Sequence, residues 1–423
     1  MNTKNIIFAD VIHSYQDSEW FLPLANYYKK RGVRVTVLLP IQECSYSQKM
    51  LANWIREYSD EVIYGTDLVY GKKISPILKC STYFCAFNKI LNRIFLNRRA
   101  VFRGMFKAIS RMLVNLTYID AYYIPSDVYG NRKNNILLDI LCMHASNNNK
   151  PILGYVNKGI SIQDNYSPNL GLTCLFTIRP FKHNKEDLNT VEMGAQRLSS
   201  HWLTEVNRYF SNAIEGNELS MQLPVNKPIV LLLLKTYTSV LTEFIEYDNY
   251  MLYRKRLIIK LLEAGFFLLI KPHPAQDKKE LKSVSDILIE NDGDSAITYL
   301  PVQFVASKAS CVVIEMASNS VLDCIAMNKK VYWPYYDIMK IEQQTRLRKT
   351  KRLIDAGSPE LFFRFVENRF PTKDDSFEIK SHIVNEFNKL ENIEINIGDS
   401  ITECEEMISN MDISKLYSKK RSL

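Results

Sequence analysis

Short apolar runs of strand length alternate with stretches of helical periodicity twice along this chain, and that double series constrains the fold more than any other feature. Near the N-terminus, Asn5 to Asp10 reads as a strand, Glu19 to Arg31 as a helix stopped by Gly32, and Val33 to Leu39 as the next strand. Further strands are expected at Glu61 to Tyr64, Ala121 to Ile124 and Ile152 to Val156, with helices near 46–58, 86–115 and 133–146. Alternation of this kind implies a parallel sheet covered on both faces. Residues 211–228 then break the periodicity with Gly216, Pro224 and Pro228 and read as a linker. After them the series restarts. Strands are expected at Ile229 to Leu234, Phe266 to Lys271, Ile297 to Tyr299, Cys311 to Glu315 and Lys330 to Trp333. The helices between them are expected at Tyr250 to Ala264 and near 277–290, 302–308 and 319–327. At 423 residues the chain exceeds what one hydrophobic core supports, which agrees with two domains. The expected division is 1–215 with a helical insertion at 72–112, then 228–370, then a helical segment and basic tail at 371–423.

Bulk properties narrow the class. Hydrophobic residues make up 46% and charged residues 24%, close to folded globular averages. The eight cysteines form no Cys-x-x-Cys pair and have no histidines at zinc-finger spacing, so they read as reduced thiols. The N-terminal apolar stretch is shorter than a signal-peptide core and no run approaches bilayer length, which points to a cytoplasmic chain. The formal charge of +8 is unevenly spread. From Lys72 to Arg111 lysines and arginines alternate with Ile, Leu, Phe, Tyr and Met without a single acid. Such basic amphipathic helices suit an anionic membrane face, making the chain peripheral at the inner face of the cell membrane, or an anionic glycan. An ordinary solvated helical surface reads the same way. Nucleic acid is not among the expected partners.

Several chemistries are disfavoured by missing motifs. The loop after the first strand, Asp10-Val-Ile-His13-Ser-Tyr-Gln-Asp17, is no Gly-x-Gly-x-x-Gly turn. There is also no Gly-x-x-x-x-Gly-Lys-Ser/Thr loop, His-Glu-x-x-His helix or Gly-x-Ser-x-Gly elbow. In the second half, three polar loops follow buried strands and should meet at the sheet's carboxyl edge, where open α/β sheets bind ligands. They are Lys235-Thr236-Tyr-Thr-Ser239, Lys271-Pro-His273-Pro274, and Glu315-Met-Ala-Ser318-Asn319-Ser320. The last begins a helix, whose free N–H groups and positive dipole end favour phosphate, although serine there is also an ordinary N-cap. His273, fixed between two prolines, can meet a leaving group or merely cap a loop.

Lys271-Pro-His-Pro274, followed about 40 residues on by Ser318-Asn-Ser320, resembles the His-Pro and Ser-Ser/Thr motifs of bacterial GT-B glycosyltransferases of surface polysaccharide synthesis. These are the sialyl-, polysialyl- and Kdo-transferases, and CDP-glycerol glycerophosphotransferases carry a similar stretch. The resemblance implies two Rossmann-like doubly wound domains facing a cleft, with His273 and Ser318 or Ser320 on the donor phosphate and cytidine ribose. It also implies a general-base carboxylate on the first domain, often in an acidic pair before glycine. No such pair occurs in the first 215 residues. The candidates are Asp127, Asp17 or Asp10, and Asp164, with His13 able to serve instead; Asp10, His13, Asn157, Gly159 and Asp164 are expected on the acceptor side.

The expectation is an inverting glycosyltransferase that moves a sialic-acid- or Kdo-type sugar from a CMP-activated donor to a cell-surface polysaccharide or lipid-linked glycan. Neither metal nor cofactor is expected. Lys235, Thr236, Lys271, Pro274, Glu315, Ser318, Asn319 and Ser320 would bind the donor. A CDP-polyol phosphotransferase and a non-catalytic glycan-binding scaffold are the alternatives.

Overall fold

The computed structural model describes residues 4–10, 15, 18–40, 42–43, 45–65, 67, 116–125, 136–155, 174–177, 189–192, 197, 200–237, 244–263, 265–274, 276–291, 294–316, 319–327, 329–345 and 351. They fall into two compact units, one ending at Arg197 and the other beginning at Leu198.

The first unit is built on seven strands: β1 (Asn5–Ala9), β2 (Arg34–Leu39), β3 (Glu61–Tyr64), β4 (Ala121–Pro125), β5 (Ile152–Tyr155), β6 (Cys174–Thr177) and β7 (Asn189–Glu192). All pairings are parallel, in the order β3-β2-β1-β4-β5-β6-β7. Helices α1 (Ser18–Lys30), α2 (Tyr46–Glu57) and α3 (Ile136–Asn147) connect them. Side-chain alternation along β1 serves both faces of the sheet. Ile7 and Ala9 join Tyr122, Ile124, Leu138, Leu141 and Ala145 in one core. Phe8 points the other way and stacks on Phe21 and Tyr123, with ring centroids 5.2 and 4.6 Å apart. Helix α1 ends in a Schellman turn. Gly32 takes φ +76°, its N–H reaches Lys29 O at 3.0 Å, and Val33 N–H reaches Tyr28 O at 3.2 Å.

The second unit opens with α4 (Ser200–Asn212) and α5 (Ile214–Gln222), followed by strands β8 (Ile229–Leu233), β9 (Phe267–Lys271), β10 (Ser295–Ile297), β11 (Cys311–Ile314) and β12 (Val331–Tyr332). The sheet is parallel, in the order β10-β9-β8-β11-β12. Between the strands run α6 (Tyr247–Glu263), α7 (Lys278–Glu290), α8 (Val302–Lys308) and α9 (Asn319–Ala326), and a 3-10 helix covers Pro334–Ile338. Helix α6 repeats the Gly-terminated stop of α1, with Gly265 at φ +81° directly before β9. The core joins Val230, Leu232, Leu268, Ile270 and Val313 of the sheet to Ile258, Val284, Ile287 and Leu288 of the helices.

Three expectations need correction. The stretch 211–228 is no linker, because Ile214–Gln222 is helical and only the segment around Pro224 to Pro228 connects. The glycine that suggested a break serves close packing instead. A Cβ on Gly216 would lie 1.7 Å from the Phe210 carbonyl oxygen. Second, α4 and α5 belong to the second unit, so the division falls at 197–198 and not at 215. Phe210 of α4 packs on Phe304 of α8, with centroids 5.6 Å apart. Third, the strand expected at 297–299 runs over Ser295–Ile297, in register with Leu268 to Ile270. The 72–112 insertion and the segment 371–423 lie outside the described residues. Among the described residues no helix is long and apolar enough to cross a membrane.

Candidate functional site

In the second unit β8 sits centrally, with β9 on one side and β11 on the other, and the chain switches direction across the sheet there. The carboxyl ends of such strands are where open α/β sheets leave a crevice. Register then decides which side chains meet. Leu233 pairs with Lys271, so Lys235 and His273, each two residues further on, come opposite one another. Lys235 Nζ lies 3.4 Å from His273 Nε2. The histidine backbone is held by Gln276, whose Oε1 accepts from His273 N at 3.3 Å and whose N–H donates to His273 O at 2.7 Å. Lys271 ends β9, and its ammonium donates to Tyr299 O at 3.4 Å.

Burial and the neighbouring charges of Lys235 and then Lys271 lower the His273 pKa from 6.5 to about 4. The imidazole is therefore neutral near pH 7. Burial also lowers the Lys235 pKa. One residue after Lys235, the Thr236 hydroxyl is buried and has no hydrogen-bond partner among the described residues. Lys235, Lys271 and a neutral imidazole thus come together at the carboxyl edge of this sheet.

Glu315, expected at the donor, is instead turned inward and fully engaged. Its Oε1 accepts from Arg254 Nε at 2.6 Å and from Tyr335 Oη at 3.0 Å. Its Oε2 accepts from the Lys235 N–H and the Tyr250 hydroxyl, both at 2.6 Å, and from Arg254 Nη2 at 2.7 Å. A carboxylate so occupied and only 1% exposed has no face left for a ligand. Its backbone oxygen accepts from Trp333 Nε1 at 3.1 Å. Burial first and Glu315 second push the Tyr250 and Tyr335 phenols upward. Burial works against the Arg254 charge, but Glu315 more than offsets it and the guanidinium stays protonated.

The other expected residues divide as follows. Pro274 is exposed, and Ser320 is half-buried in the first turn of α9, which Asn319 opens. In the first unit Asp10 follows β1, fully buried, and its Oδ2 accepts from Ser18 N at 3.1 Å. That carboxylate serves the start of α1. His13, Asp17, Asp127, Asn157, Gly159, Asp164 and Ser318 lie outside the described residues.

No protein-family model and no curated protein matches the sequence. Solved structures do match. TcCGT1 in complex with UDP aligns with 97% of this chain and 100% of its own at 12% identity and a TM-score of 0.52. The fold is GT-B. A putative UDP-N-acetylglucosamine 2-epimerase from Listeria monocytogenes aligns at 10% identity, 92% and 97% coverage and TM-score 0.48. A glycosyltransferase from Rickettsia africae ESF-5 gives 10%, 100% and 98%, and 0.40. Identities this low speak to architecture and not to chemistry.

Sequence reasoning missed the residues that brace this GT-B sheet edge, namely Tyr250, Arg254, Gln276, Glu280, Trp333 and Tyr335. One signal was present. Tyr250, Arg254 and Ile258 are spaced by four on α6 and all are buried, so the arginine interrupts an otherwise apolar stripe. A charge at such a position requires partners.

Proposed function

We propose that this chain is a glycosyltransferase that takes a sugar from a nucleotide-activated donor, with the donor phosphate seated between Lys235, His273 and Thr236. The observation that carries the reading is the Lys235–His273 contact at the carboxyl edge of the second sheet. The two-domain fold supports it, and the Lys271-Pro-His-Pro274 motif favours a cytidine donor of the CMP-sialic-acid or CMP-Kdo type. The acceptor is a polysaccharide or lipid-linked glycan.

In the reaction a carboxylate of the first unit, Asp127 or Asp17, takes the proton of the acceptor hydroxyl. The freed oxygen attacks the anomeric carbon as the bond from that carbon to the phosphate oxygen breaks, which inverts the configuration. The bonding electrons go to the phosphate. Lys235 supplies a positive charge there without reorganisation, and Ser320 lies at the α9 start, whose N–H groups favour the same anion. His273 is neutral before the donor arrives. The phosphate charge raises its pKa, so it takes up a proton on binding and can hydrogen-bond the departing oxygen as a cation.

Thermal-shift screening with CMP, CDP and UDP tests the reading. Stabilisation by CMP above the others is expected. Stabilisation by CDP above CMP would transfer the assignment to a polyol-phosphate transferase, whose donor carries a CDP group and whose leaving group is CMP, and no response to any of the three would remove it.

A further inference from the structure

Arg254 sits on α6, fully buried, and none of its donors faces the anion site directly. Besides its bonds to Glu315, its Nη2 donates to Lys235 O at 2.9 Å and to the Tyr250 hydroxyl at 2.7 Å, and its Nη1 donates to Glu280 Oε2 at 3.1 Å. Each carboxylate in turn grips a loop of the site. Glu315 holds the Lys235 N–H. Glu280 Oε1 accepts from Tyr237 N at 3.1 Å, and its Oε2 accepts from Gln276 Nε2, the same glutamine that holds the His273 backbone. Both backbone polar groups of Lys235 are thus fixed, as is the N–H two residues beyond it. An unbroken hydrogen-bonded path runs from one guanidinium to both halves of the lysine–histidine pair.

Core stability alone does not call for this construction, because well-packed apolar side chains often match or exceed a buried ion pair. What a planar guanidinium with five fixed donors adds is geometry. We propose that Arg254 is the positioning residue of this site, setting through Glu315 and Glu280 the loop conformations that hold Lys235 Nζ against His273 Nε2. The inference rests on the proposed function only for the identity of the anion; the positioning is a matter of this chain's own contacts.

Arg254→Met, Arg254→Lys and Glu280→Gln test it in the full chain, with folding checked by circular dichroism. The readouts are the NMR titration of His273, assigned by loss of its signal in His273→Asn, and calorimetric binding of CMP. In Arg254→Met the His273 pKa should move from about 4 back toward 6.5 as the loops part. CMP binding should weaken roughly tenfold or more, the scale of one lost charge-assisted hydrogen bond. Arg254→Lys keeps the charge but not the fork and should move His273 in the same direction by less. A folded Arg254→Met protein with unmoved His273 and unchanged CMP affinity would overturn the proposal. Should that variant fail to fold, Glu280→Gln keeps the side-chain volume and the Glu315 contacts of Arg254 while weakening the Glu280 contacts to Arg254, Gln276 and Tyr237, and an unmoved His273 there would overturn it equally. If the wild type binds no nucleotide and His273 still shifts in the variants, the positioning stands and the transferase reading falls. Nucleotide binding by the wild type with unmoved His273 in folded variants gives the reverse.

Discussion

Acidification should destabilise the second unit through His273, and the size of the effect follows from its surroundings. Burial and the two lysines hold its folded pKa at about 4 against 6.5 in its ordinary state. Between these values the unfolded chain binds a proton that the folded chain refuses, so stability is full above pH 6.5 and is lost as pH falls toward 4. At 1.36 kcal/mol per pKa unit the whole shift amounts to about 3 kcal/mol, an upper value because the ring keeps some contact with water. Roughly 2 kcal/mol of it should have gone by pH 5. Carboxylates titrate in the same range, so the measurement compares urea unfolding of the wild type with that of His273→Asn, which cannot take the proton. The variant should lose less stability than the wild type between pH 7 and pH 5. Parallel pH curves for the two proteins would show that His273 is not buried beside cationic neighbours, and the anion site built on that contact would fall with it.

Glu315→Gln should cost about 3–5 kcal/mol, because Arg254 is fully buried and would lose its principal countercharge; the midpoint of chemical unfolding measures this, and a loss below 1 kcal/mol on the same scale would contradict the geometry. Gly216→Ala should destabilise by about 1–3 kcal/mol, since its methyl group would press on the Phe210 carbonyl and force α4 and α5 apart; an unchanged melting temperature would refute the packing of that turn. CMP binding should take up a proton near pH 6 if phosphate raises the His273 pKa, which calorimetry in two buffers of different ionisation enthalpy detects as a buffer-dependent heat.

Much of the sheet framework was legible because buried parallel strands are apolar on both faces and helices between them end in recognisable stops. Gly32 marked the end of α1, and the runs at Ile229 and Phe266 marked the two strands whose register places Lys235 opposite His273. What escaped was fixed by tertiary partners. Asn189–Glu192 is an edge strand with polar residues at both ends and carries no periodicity of its own. Ser295–Ile297 owes its register to β9 and not to its own composition. Gly216 reads as a helix breaker in isolation and becomes a packing residue only once Phe210 and Phe304 are in place. In the site, His273 and Lys235 could be found because they follow strand ends directly. Glu315 was placed at the correct strand end but assigned to a ligand, since nothing in its own loop reveals that Arg254, 61 residues earlier, claims both its oxygens.

The proposed function requires that Lys235 and His273 together hold the phosphate of a nucleotide donor. Isothermal titration of CMP into the wild type, Lys235→Met and His273→Ala tests it most directly. The wild type should bind saturably, and each variant should remain folded and bind at least roughly tenfold more weakly. Binding of equal strength by all three proteins would contradict it.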